Sequence, residues 1–184
     1  KLHALIGSGG AQMGVSYQDF IANNLASEHP LPYTAVAAII QHNLSGIMSR
    51  KDDGITRPRE MQNHTYATWN LPVEQATVKS VVQTDGGDPE SIKMVPYEVD
   101  DEVSGLKANM FDTVWVYEQW AVQNAEVQGF PYNYFSFQSI DPVFDIYTPV
   151  IAANDAYMKD NPEAVKGFLA AVKEGYEYAV SNPE

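Results

Sequence analysis

The stretch that most constrains this chain is residues 111–120, Phe-Asp-Thr-Val-Trp-Val-Tyr-Glu-Gln-Trp, which holds two of the three tryptophans. Val114-Trp115-Val116-Tyr117 is β-branched and aromatic, the composition of a buried strand. The run stops at Glu118, a carboxylate directly after an apolar strand. In an open α/β sheet, ligands bind beyond the carboxyl ends of strands. A Tyr-Glu-x-Trp cluster there offers aromatic faces and one charged acceptor to a small polar ring. The competing reading makes Trp115 and Trp120 core and Glu118 a solvated loop acid. The stretch alone does not choose between them.

The rest of the chain alternates strand-like and helix-like segments. His3 to Ile6 reads as the end of a helix closed by Gly7-Ser8-Gly9-Gly10. No Gly-Lys-Ser/Thr follows these glycines and no strand precedes them, which argues against a phosphate loop. Met13 to Ser16 is a short strand with Tyr17 at its end, followed by a helix through Phe20, Ile21 and Leu25. Thr34 to Ile40 is a strand that runs into Gln41-His42-Asn43-Leu44-Ser45-Gly46, and Ile47 to Ser49 is another. Arg57 to Met61 reads as a short helical connector. Thr65 to Trp69 is a strand, and Asn70-Leu71-Pro72 carries helix-start signals for a helix ending at Asp85-Gly86-Gly87-Asp88-Pro89. Ile92 to Tyr97 is the next strand, and Asp100 is expected to cap a helix with apolar positions Val103, Leu106 and Met110. A short strand is expected within 130–137. Val150 to Ala153 is a strand, and Asn161-Pro162-Glu163 opens the best helix, with Val165, Phe168, Leu169, Val172 and Tyr176 on one face. Alternation of this kind predicts an α/β fold with a mostly parallel sheet.

Composition excludes several classes. The 184 residues carry no cysteine, which removes disulfides, thiolate metal sites and thiol nucleophiles. A formal charge of −13 repels phosphate backbones, so no nucleic-acid partner is expected. No apolar run is long enough to span a bilayer as a helix. His3, His29, His42 and His64 show no paired spacing, so no metal site is expected. The chain opens without Met and both ends read as mid-element, which suggests a fragment of a longer protein.

Taken in order, the motifs acquire a meaning. Gly14-Val15-Ser16-Tyr17-Gln18, Gln41-His42-Asn43-Leu44-Ser45-Gly46, Trp69 ahead of Pro72-Val73-Glu74, Asp85 to Pro89, Trp115 to Trp120, Tyr147-Thr148-Pro149-Val150 and Asn161-Pro162-Glu163 follow one another over nearly the whole chain. Together they resemble the solute-binding proteins of ABC importers, within the nitrate, sulfonate and thiamine-pyrimidine group. The resemblance implies a type II periplasmic-binding fold of two α/β lobes around a ligand cleft. The first lobe would be 1–56 with 147–184, lacking an N-terminal strand-helix-strand and C-terminal helices. The second, inserted lobe would be 57–146. It also implies a small-molecule solute, an ABC permease as partner, an extracytoplasmic location and no cofactor. An incomplete first lobe exposes strand edges, so self-association is expected.

The candidate ligand-binding residues are Tyr17, Gln18, His42, Ser45, Trp69, Asn70, Tyr117, Glu118 and Trp120. The Trp-x-Tyr-Glu-x-Trp and Gln-His-Asn patterns are similar to members that carry pyrimidine precursors of thiamine. Trp69 and Tyr117 can stack on a flat heteroaromatic ring, and Glu118 can accept from an exocyclic amine. A sulfonate or nitrate site would favour Arg, Lys and backbone N–H groups, yet no basic residue lies between Arg59 and Lys79. Riboflavin, sulfonate, taurine and nitrate remain alternative solutes, and a ligand-sensing domain an alternative setting. Fungal relatives of this fold make the thiamine pyrimidine with a cysteine-rich iron-binding motif. This chain has no cysteine, so no catalytic residue is assigned and an enzyme is not expected. Trp115 is assigned to packing, and Trp120 to a place behind Tyr117 and Glu118.

Overall fold

The structure, a computed structural model, describes residues 2–97 and 101–183. The first elements are α1 (Leu2–Gly7), β1 (Met13–Ser16), α2 (Gln18–Leu25), β2 (Tyr33–Ala38), β3 (Ser45–Arg50) and β4 (Thr65–Thr68). Next come α3 (Pro72–Thr84), β5 (Lys93–Pro96), α4 (Glu102–Lys107), β6 (Thr113–Tyr117), α5 (Gln123–Val127) and β7 (Tyr132–Ser136). The last are α6 (Phe137–Ile140), β8 (Val150–Asn154), α7 (Asp155–Asp160) and α8 (Pro162–Ser181).

Two compact units divide these elements: Lys1–Gln41 with Tyr147–Glu184, and His42–Ile146. The first crossing, expected after residue 56, lies after Gln41. β3 hydrogen-bonds between β6 and β7, so 45–50 belongs to the sheet of the second unit.

The first unit carries a three-stranded sheet in the order β1-β8-β2, with β8 antiparallel to both neighbours. Its core is small: Ile6, Tyr33 and Ala152, with Ala11 and Ile21 packed against them. Asn24 closes the loop at the Pro30-Leu31-Pro32 break. Its side chain donates to the Leu31 carbonyl at 3.0 Å and accepts the Leu31 N–H at 2.9 Å. Asn161 stands at the N-cap of α8, but its side chain makes no capping bond, and Nδ2 turns back to the Tyr157 carbonyl. Along the α8 stripe only Val165 is buried, while Phe168 and Tyr176 are exposed.

The second unit carries a five-stranded sheet in the order β5-β4-β6-β3-β7. β4 is parallel to β5 and β6, whereas β3 is antiparallel to β6 and β7. The expectation of a mostly parallel sheet therefore holds only around β4. Helices α3 and α4 supply the crossovers that parallel pairing requires. One core face joins Ile47, Tyr66, Trp115, Phe135 and Phe137 to Val78, Val81 and Val82 of α3. The other joins Met48, Val114, Val116 and Phe111 to α4 and α5. This split follows strand alternation: odd positions of β6 face one cluster and even positions the other.

Gly46 is required at the centre. A Cβ there would lie 2.1 Å from the Phe135 carbonyl oxygen, so β3 and β7 meet this closely only at a glycine. Asp100, read as a helix cap, lies outside the described residues. Asp101 caps α4, accepting the Val103 N–H at 3.1 Å, and the helix ends before Met110, which is exposed.

Candidate functional site

Neighbouring parallel strands β4 and β6 deliver aromatic residues at their carboxyl ends. Trp69 directly follows β4, and Tyr117 closes β6. Trp69 is 38% exposed, and its ring lies 6.0 Å from that of Trp115, tilted by 49°. Trp115 in turn packs on Phe137 at 4.3 Å. Tyr117 lies against the same cluster, two residues along the strand from Trp115. The three rings thus form one aromatic group graded from buried Trp115 to half-open Trp69.

The Trp69 backbone is held by a residue that sequence reasoning had not singled out as functional. Glu74 in the first turn of α3 is 2% exposed. Its carboxylate accepts the Tyr66 hydroxyl at 2.7 Å, the Thr68 hydroxyl at 3.1 Å, the Trp69 N–H at 3.1 Å and the Leu71 N–H at 3.2 Å. These bonds and the helix N-terminus stabilise a buried carboxylate. Burial, and then the Glu74 charge, push the Tyr66 hydroxyl well above the ordinary tyrosine value. Leu71, not Asn70, is the N-cap residue of α3. Asn70 is exposed and occupies the left-handed region at φ 58°, a conformation that asparagine tolerates in turns. The signal for Glu74 was present as glutamate at the third helical position, the reciprocal half of a capping box.

Glu118 leaves the strand on the other side. It begins a π-helical turn, Glu118–Val122, of a kind frequent at functional sites. Its N–H donates to the Leu44 carbonyl at 2.8 Å, and the Tyr134 hydroxyl donates to the same oxygen at 3.1 Å. Burial, and then the Glu118 charge, raise Tyr134 above its ordinary value. Tyr134 packs with the second core cluster, whereas Tyr117 packs against the first. Trp120 is 72% exposed and lines an open surface groove with Gln119, Gln123 and Val127. It does not back Tyr117 as packing; its ring faces solvent.

The remaining candidates have partners within their own units. His42 Nδ1 lies 3.0 Å from Asp145 Oδ2, and the Asn43 N–H donates to the same carboxylate at 3.1 Å. Bonding to His42, and then to Asn43, holds the Asp145 carboxyl below its usual value. Ser45 is buried and gives its hydroxyl to Asn43 Oδ1 at 2.6 Å. In the first unit, Tyr17 is the residue preceding α2, and Gln18 Oε1 accepts the Tyr147 N–H at 2.7 Å. The Gln-His-Asn-Leu-Ser motif therefore forms a stitched loop, with His42 exposed at its rim.

The model of the family described as NMT1/THI5 like matches residues 1–184. The chain belongs to the NMT1/THI5-like family. Among curated relatives, the formylaminopyrimidine-binding protein of Halalkalibacterium halodurans is 25% identical over 98% of this chain and 54% of its own length. The 4-amino-5-hydroxymethyl-2-methylpyrimidine phosphate synthase THI11 of Saccharomyces cerevisiae is 24% identical over 97% of this chain and 54% of its own. The chain spans about half the length of the curated relatives it matches. Among solved structures, the periplasmic aliphatic sulphonate binding protein SsuA of Escherichia coli aligns with a TM-score of 0.71 at 12% identity, over 99% of this chain and 60% of that one. The alkanesulfonate-binding protein SsuA of Xanthomonas axonopodis, bound to MOPS, aligns with a TM-score of 0.65 at 9% identity, over 94% and 58%. At such identities the likeness establishes a shared fold, that of periplasmic-binding proteins. The family thus contains a binding protein and a synthase, and the chemistry of this chain's residues must decide between them.

Proposed function

We propose that the protein is the extracytoplasmic solute-binding component of an ABC importer, and that its solute is a small heteroaromatic ring of the aminopyrimidine class. The observation that carries this reading is the Trp69–Trp115–Tyr117 group at the carboxyl ends of β4 and β6. Rings of this kind supply stacking faces to a flat solute. Glu118, at the same end of β6, supplies a charged acceptor for an exocyclic amine. Membership of a family that includes a formylaminopyrimidine-binding protein favours the same class. His42, Ser45, Asn70 and Trp120 are retained as proposed contacts of the second unit, and Tyr17 and Gln18 as proposed contacts of the first. A permease is the proposed macromolecular partner, and the exposed α8 stripe supports self-association of the chain.

The protein is read as non-catalytic. Pyrimidine-synthase relatives share the family, but this sequence contains no cysteine with which to build a cysteine-rich iron site. Iron-dependent turnover of pyridoxal phosphate would overturn this. The binding reading is tested by calorimetry with aminopyrimidines, alkanesulfonates and nitrate. Saturable heat with the first group alone is expected, and heat with sulfonates or nitrate alone rejects the proposed solute. Glu118→Ala should weaken aminopyrimidine binding by about tenfold or more, the worth of one charge-assisted hydrogen bond. Unchanged affinity would return Glu118 to a solvated loop acid.

A further inference from the structure

The indole N–H of Trp115 is buried, and among the described residues it has no hydrogen-bond partner. The residue as a whole is 9% exposed, in the middle of β6. Buried donors are almost always paired, and an orphan requires an explanation. The core around Trp115 contains the hydroxyl-bearing Tyr66 and Tyr117, yet the indole N–H is hydrogen-bonded to neither, and the Tyr66 hydroxyl is given to Glu74. Phe137 lies 4.3 Å away at 58°, and an aromatic face is only a weak acceptor. Packing alone does not select tryptophan here, because phenylalanine would fill an aromatic cluster without an unpaired N–H.

The surroundings show where an acceptor can come from. Phe137 and Tyr66 are fully buried, whereas Trp69 is 38% exposed. Glu74 fixes the Trp69 backbone through its N–H and leaves the ring outside that network. The ring can therefore turn about its side-chain torsions while the β4–α3 turn stays in place.

We propose that Trp115 is a ligand-binding residue whose indole N–H donates to an in-plane acceptor of the solute, reached when the ring of Trp69 swings aside to stack on the bound solute. This rests on the proposed binding function and narrows its solute class to rings with a lone pair in the ring plane, such as a pyrimidine nitrogen. A site with a buried donor also discriminates. A carbocyclic ring of the same shape leaves the N–H unpaired and is rejected. Trp69 would supply the face, and Trp115 the edge contact.

The test uses the full chain and two probes: 4-amino-5-hydroxymethyl-2-methylpyrimidine, and its benzene analogue with both ring nitrogens replaced by C–H. Wild-type protein should bind the pyrimidine at least about tenfold more tightly than the analogue. Trp115→Phe should lower pyrimidine affinity about tenfold and change analogue affinity less than about twofold. Equal losses for both probes would make Trp115 a packing residue, and no loss for either would remove it from the site. Both results overturn the inference while leaving aminopyrimidine binding intact. Wild-type protein that binds neither probe refutes the binding function itself. Where Trp115→Phe does not fold, indole N–H resonances of the wild type, assigned with Trp69→Phe and Trp120→Phe, decide the matter. The Trp115 signal should move downfield with the pyrimidine and not with the analogue. A stationary signal under saturating pyrimidine overturns the proposal.

Discussion

Glu74 concentrates the chemistry of the second unit at the scale of one residue. A buried carboxylate that accepts from two hydroxyls and two backbone N–H groups holds Tyr66, Thr68, Trp69 and Leu71 in one arrangement. In Glu74→Gln, one acceptor oxygen becomes a donor facing other donors. We expect a loss of about 2–3 kcal/mol in urea unfolding, the cost of leaving charge-assisted bonds unmade. We also expect weaker solute binding, because the turn that presents Trp69 loosens. An unfolding midpoint equal to that of the wild type would show that the network is not needed to hold the turn. At this scale the sequence was partly legible. Trp69, Tyr117 and Glu118 stood out because each lies at the carboxyl end of a strand. Trp115 was assigned to packing because one sequence does not reveal whether an indole N–H finds an acceptor. Trp120 looked like support behind Tyr117, but the π-helical turn swings it to the surface. His42 looked like a ligand contact, and the long-range pairing with Asp145 that occupies its Nδ1 had no local signal.

At the scale of elements, one cluster ties together the strand ends opposite the aromatic group. Arg50, the last residue of β3, donates to the carbonyls of Leu106 and Phe111 at 3.1 and 2.7 Å and to Asp112 at 2.6 Å. Asp112 accepts both the N–H and the hydroxyl of Thr65, the first residue of β4, at 2.9 and 2.8 Å. Burial alone would raise the Asp112 carboxyl, but the Thr65 bonds and then Arg50 outweigh it and hold it down to about 2. The folded value lies below the unfolded one, so the associated stability is complete above about pH 4 and is lost as pH falls toward 2. We expect this cluster to contribute about 1–2 kcal/mol at neutral pH. In Asp112→Asn, the urea midpoint should be lower near pH 6 and should differ little from wild type near pH 2. A constant gap across that range would refute the linkage. Gly46 sets a second limit on the sheet. Gly46→Ala forces a Cβ against the Phe135 carbonyl and should cost about 1–3 kcal/mol through overpacking. A variant with unchanged thermal stability would show that β7 yields freely. Strand positions were legible from apolar runs, whereas pairing was not. Nothing local states that β3 lies between β6 and β7, and this pairing moved the first crossing and made the sheet mixed.

For the whole molecule, the two units differ in how much core they own. The second unit has two large clusters, one on each face of its five-stranded sheet. The first has three strands and the small cluster around Ile6, Tyr33 and Ala152, and its longest helix buries Val165 alone. The α8 stripe was legible as a helix face, but periodicity says only which residues share a side, not whether anything covers them. Stability is distributed according to such burial, and regions with few buried apolar contacts open first. In native-state hydrogen exchange on the full chain, the amides of β3, β4 and β6 should therefore exchange slowest, through global unfolding. Those of β2 and of the second half of α8 should exchange at least about tenfold faster, through local opening. A solute held by Trp69, Trp115 and Tyr117 should raise protection in β4 and β6 by mass action. Uniform protection across both units would mean that the small core of the first unit does not set its stability. It would then follow that both units open only through global unfolding.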